Sequence, residues 1–188
     1  MSSVVISGDT SGAITVAAPA VAGTNTITLP AATGTTELIG VGTAVASTSG
    51  TAIDFTSIPS WAKKITVMFS GVSTSGSSNI LIQIGAGSVT NTGYVSAATI
   101  PSGAVSSTAG FIVGNNTAAA DTMYGSAILT TLGSNIWTEF ANTYGGSGNV
   151  RSCAGGVTLS GTLDRVRITT VNGTDTFDAG NINIMWEG

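Results

Sequence analysis

Gly-Thr pairs punctuate this chain at Gly23-Thr24, Gly34-Thr35, Gly42-Thr43, Gly50-Thr51, Gly161-Thr162 and Gly173-Thr174, and several neighbouring pairs lie 8 to 12 residues apart. That is the interval of short strands joined by turns. Glycine supplies the positive φ that such turns require. Between the turns, apolar residues recur at every second position. Ile65, Val67 and Phe69 alternate with Lys64, Thr66 and Ser70, and Ile80, Ile82 and Ile84 alternate around Leu81 and Gln83. Val166 and Ile168 alternate with Arg165 and Arg167, and Ile182, Ile184 and Trp186 with Asn181, Asn183 and Met185. Each run predicts a strand with one buried face. Ser134 to Tyr144 lacks Gly and Pro, and its Trp, Thr, Phe and Tyr favour a strand as well. Only Asn115 to Tyr124 suits a single helical turn. The chain reads as all-β.

Charge is the second constraint. Five basic and nine acidic residues make up 7% of the 188, and histidine is absent. Soluble domains ordinarily carry about a quarter charged residues. A surface so poor in charge invites association, so much of it is expected to be buried between subunits. The net charge of −4 comes with no basic stripe, since Lys63 and Lys64 are adjacent, Arg165 and Arg167 alternate and Arg151 stands alone. Nucleic-acid binding by phosphate neutralisation is disfavoured. No run approaches the ~20 apolar residues that span a bilayer, and Met1 to Ile6 lacks the basic and apolar regions of a secretory signal. The chain is expected to fold where it is made, with no membrane insertion.

Two regions differ in character. Residues 1–44 hold no aromatic residue, and Asp9 and Glu37 are their only charges. Their apolar runs are short: Val4-Val5-Ile6, Ala13-Ile14-Thr15-Val16 and Thr26-Ile27-Thr28-Leu29. Side chains so small and few do not build a core from one copy. Three copies wound about one axis do, each burying its apolar face on the other two. Residues 45–188 hold every Trp, Tyr and Phe, enough for a self-contained core. The expected fold is therefore a short intertwined N-terminal β segment over 1–44, for trimerisation and attachment. A jelly-roll-like β-sandwich of eight to ten strands follows over 45–188.

Three stretches carry a resemblance. Val5 to Pro30 (VISGDTSGAITVAAPAVAGTNTITLP), Ile58 to Phe69 (IPSWAKKITVMF) and Phe177 to Glu187 (FDAGNINIMWE) resemble segments of bacteriophage tail-fibre and related virion proteins. The resemblance implies a trimeric, all-β component of a tail or capsid, without shared catalytic residues. Its partners would be other virion proteins and a host surface glycan, and its location the virion. The chain has no long shaft, so the role implied is a short tail fibre or receptor-binding component. The alternative is a capsid decoration (cement) protein.

The candidate chemistry is sparse. Without histidine, a Ser/His/Asp or Cys/His hydrolase in its usual form is excluded. The single Cys153 forms no internal disulfide and reads as a small buried apolar residue. Asp175 and Asp178 are the nearest carboxylate pair, the type a glycosidase needs on either side of its bond, but their setting in Asn172 to Asp178 reads as an Asx turn. The same oxygens suit calcium, although no complete Asp-x-Asp-x-Asp-Gly loop is present. Gly85-Ala86-Gly87 and Gly145-Gly146-Ser147-Gly148 lack the Lys and helix of a phosphate loop and read as hairpin turns. Thr24-x-Thr26-x-Thr28 occurs once, too little for the flat threonine ladder of an ice-binding surface. Tyr94, Tyr124 and Tyr144 are the candidate glycan or partner contacts, because a phenol tolerates half-exposure. No enzyme activity, cofactor or metal is expected.

Overall fold

The structure is a computed structural model describing residues 3–7, 11–17, 38–100, 103–114, 118–119, 121–146 and 148–188. The chain divides into two compact units, Met1–Thr36 and Glu37–Gly188. All its described regular elements are antiparallel strands, and no helix occurs among the described residues.

In the first unit, β1 (Ser3–Ser7) and β2 (Ala13–Ala17) form a two-stranded ladder, with Val5 opposite Thr15 and Ile6 opposite Ile14. Val5 lies on one face, and Ile6 and Val16 on the other. All three are more than half exposed. A two-stranded ribbon alone is marginally stable in water, and this hairpin carries exposed apolar groups on both of its faces. The expected strand over Thr26 to Leu29 lies outside the described residues.

The second unit holds fourteen described strands. In chain order they are β3 (Ile39–Val41), β4 (Val45–Ala46), β5 (Ala52–Thr56), β6 (Lys64–Thr74), β7 (Ile80–Ala86), β8 (Ser88–Val89) and β9 (Val95–Ile100), followed by β10 (Gly103–Ser107), β11 (Phe111–Gly114), β12 (Met123–Gly133), β13 (Ile136–Gly145), β14 (Asn149–Thr158), β15 (Arg165–Thr170) and β16 (Phe177–Glu187). One sheet has nine strands in the order β10-β9-β14-β13-β12-β6-β16-β3, with β4 also on β16. The other has five, β11-β7-β15-β5, with β8 on β7. The total exceeds the expected eight to ten. Short edge pieces (β4, β8) and the β9–β10 hairpin that widens the larger sheet are set by pairing rather than by an apolar pattern. The sandwich also begins before the composition changes at Val45, because β3 already pairs with β16. Met123 and Tyr124, placed in a helical turn by sequence, instead open β12.

The period-two runs form the core. Ile65, Val67 and Phe69 of β6 lie opposite Trp186, Ile184 and Ile182 of β16, and all but the partly buried Trp186 are buried. Ile80, Ile82, Ile84, Val166 and Ile168 supply the facing layer. Each such side chain contributes about 1.5–3 kcal/mol relative to exposure. On β7 the alternation is incomplete, since Leu81 is buried too. The 109–110 segment covers that side, with the Gln83 amide donating to the Ala109 carbonyl at 2.8 Å. Gly180 has φ 93°, and a Cβ there would collide with the Gly71 carbonyl across a bulge between β16 and β6. Only glycine fits both demands.

Candidate interaction face

The three tyrosines have different fates. Tyr94 is 1% exposed and edge-on to Phe111, with ring centroids 4.8 Å apart. Its hydroxyl accepts from the Ile84 amide at 2.8 Å and lies 3.1 Å from the Thr90 carbonyl. Burial pushes its pKa up to about 12, partly opposed by the Ile84 hydrogen bond. Tyr94 is therefore a core residue and is withdrawn as a surface contact: its ring is drawn in because the buried backbone of β7 offers the hydroxyl partners. Tyr124 and Tyr144 are 47% and 44% exposed and stand directly opposite one another on β12 and β13. Val150 of β14 continues their row.

That row is the margin of a larger face. Across the outer side of the nine-stranded sheet, the ladders place Val41, Met185, Thr66, Ile128, Phe140, Ala154 and Ala97 in one line. Phe140 sits mid-line at 52% exposure. The neighbouring line runs Asn183, Met68, Ser126, Asn142, Ser152 and Thr99. Among the described residues, the charges bordering this face are the Lys64–Glu187 pair, 3.0 Å apart, and Asp178, which accepts from the Ser73 hydroxyl. The five-stranded sheet is the reverse. Its outward side carries Arg167 clamped to Asp54 at 2.7 Å, and Arg165 reaches Asp164 at 2.7 Å. One side of the sandwich is dressed for water, while the other is centred on uncharged residues and partly aromatic. Patches of that kind mark interaction sites.

The carboxylates considered for catalysis serve the fold. Asp175 accepts from the Ser78 amide at 2.9 Å and from the Asn172 side chain at 2.6 Å, and it packs over Gly76. Asn172 Oδ1 in turn accepts from the Thr174 and Asp175 amides, which is an Asx turn. Asp178 faces Ser73 rather than Asp175. Among the described residues, no group of three or more His, Cys, Asp or Glu stands together to hold a metal. Gly85 to Gly87 form the β7–β8 turn, where Gly87 donates to Asp164, and Gly145, Gly146 and Gly148 lie at the β13–β14 turn.

Sequence reading missed the buried polar groups between the sheets. Arg151 donates to Asp121 at 2.9 Å with both residues buried. The spacing of 30 residues gives no hint of the pair. Glu139 is 3% exposed, and neither carboxylate oxygen has a hydrogen-bond partner among the described residues. Desolvation pushes its pKa up to about 8, so it is mainly neutral at pH 7. Its only sequence signal is an acid on the inward phase of the β13 alternation. Cys153, on the same inward face of β14, is buried. Among the described residues no helix is long and apolar enough to cross a membrane. No family model, curated protein or solved structure matches the chain.

Proposed function

We propose that this is a non-enzymatic bacteriophage virion structural protein, assembled as a homotrimer and acting as a short tail-fibre or receptor-binding component. The observation that carries the assembly is the partition of charge between the two outer sheet faces. An uncharged face centred on Phe140 is stable against another such face and unfavourable against water. The N-terminal hairpin adds to it, because Val5, Ile6 and Val16 are more than half exposed and gain from being covered by a second copy. The virion location rests on the resemblance of Val5–Pro30, Ile58–Phe69 and Phe177–Glu187 to tail-fibre segments. The strand order β3-β16-β6-β12 over β5-β15-β7-β11 supports a jelly-roll-like sandwich, with β9, β10, β13 and β14 as additions to one sheet. Intertwining of residues 1–44 belongs to the same proposal.

Sedimentation equilibrium on the full chain tests the assembly, with three copies expected and a stable ordered single copy refuting it. Copy number in purified particles tests the role. A few copies per particle, with free protein competing against adsorption, match the fibre. Regular lattice occupancy that raises head stability matches the alternative, a capsid decoration protein.

A further inference from the structure

At one end of the sandwich lies a half-open cleft of ≈ 310 Å³, walled by the β5–β6 loop, the β12–β13 turn and the β14–β15 loop. The buried Trp137 and Leu163 contribute its apolar lining, and Ser60, Ser134, Asn135 and Lys63 stand around them. The volume is at the lower end for small-molecule sites, roughly 300–1,000 Å³, which suits a single ring.

The walls are held in place before any ligand arrives. The Leu159 amide donates to the Asn135 carbonyl at 2.9 Å, Thr131 donates to the Lys63 carbonyl at 3.0 Å, and Ile58 donates to the Asp164 carbonyl at 3.0 Å. Two of these bonds tie one wall directly to another. Among the described residues, the three non-glycine positive-φ positions are Ser57 (62°), Ser134 (51°) and Asn135 (61°), all in or next to these walls. Ser134 and Asn135 are the central pair of a two-residue hairpin turn that calls for Asn or Gly. Asn135 meets that demand. Ser134 holds a left-handed conformation that glycine would adopt more readily, and it lines the cleft.

The lining chemistry selects the ligand. The side chains of Ser60, Ser134 and Asn135 make no hydrogen bond within the described structure. They offer donors and acceptors to several hydroxyls at once. Lys63 brings a cation with no ion-pair partner among the described residues, and the lining holds no carboxylate. The geometry points to a binding site for one acidic sugar residue of the uronic-acid type. Its ring would rest against the apolar lining, its hydroxyls would meet Ser134 and Asn135, and its carboxylate would meet Lys63. This site is distinct from the tyrosine face and does not depend on the virion assignment.

The test is a titration of the full chain with free D-glucuronate, followed by amide and indole NMR signals. Saturable shifts of Gly133, Ser134, Asn135 and the Trp137 indole are expected. Glucose should bind about tenfold more weakly, the factor one charge-assisted contact supplies. Lys63→Gln should abolish that preference. Ser134→Gly relieves the strained turn, so it should stay folded while weakening glucuronate. Absence of shifts at these residues, or acetate binding as well as glucuronate, overturns the proposal.

Discussion

The Arg151 guanidinium and the Asp121 carboxylate meet at 2.9 Å in the interior of the sandwich. Their burial is almost complete, so both charges are withdrawn from water. A Cβ on Gly145 would overlap the guanidinium, which is why the β13 terminus ends in glycine at that point. Arg151→Met removes the guanidinium that faces this buried carboxylate. It should lower the unfolding free energy by about 3–5 kcal/mol, read as a fall in the urea midpoint at unchanged m-value. Pairing it with Asp121→Asn should recover part of that loss, the signature of a coupled pair.

Glu139 gives stability a pH dependence of its own. Leu129 and Gly155 flank it on β12 and β14, and Cys153 and Arg151 lie on the same inward side of β14. Its folded pKa is about 8, against about 4.3 in an unfolded chain. Between those values the unfolded chain gives up a proton that the folded one retains. Its contribution is therefore fully present below about pH 4 and is lost as pH rises through about 8, at up to ~1.4 kcal/mol per pH unit. Denaturation midpoints measured across that range should slope downward. Glu139→Gln, which cannot ionise, should flatten the slope. An unchanged slope would show that the carboxyl is not held neutral.

Phe140 lies at the centre of the uncharged face. Phe140→Lys should shift the protein toward single copies in sedimentation velocity while leaving the far-ultraviolet spectrum unchanged. Thr56→Lys, an exposed position on the five-stranded sheet, is the control and should leave assembly intact. Equal effects from both substitutions would mean that the charge partition does not direct association.

How much of this was legible beforehand depends on which force decided each feature. The inward phases of β6, β7, β15 and β16 follow from Ile, Val and Phe at alternate positions, and burial enforces that register. The strand expected over Ser134 to Tyr144 from composition is found over Ile136–Gly145, while Ser134 and Asn135 form the turn before it. Tyr94 was misplaced because a phenol reads as half-exposed until the backbone groups of β7 are seen around its hydroxyl. Arg151 and Asp121 were unreadable because pairing across 30 residues is decided by topology. Glu139 ran against pattern altogether, being an acid where the alternation calls for an apolar residue. Conflicts of that kind mark positions set by something other than folding.

The lone thiol of Cys153 has a practical consequence. Burial first, and the nearby Glu139 second, push its pKa up to about 12. Closed in and protonated, it is inert to alkylating reagents while the sheets remain together. Its rate of modification is therefore a clock for the opening of the sandwich, built into the chain without any engineered label.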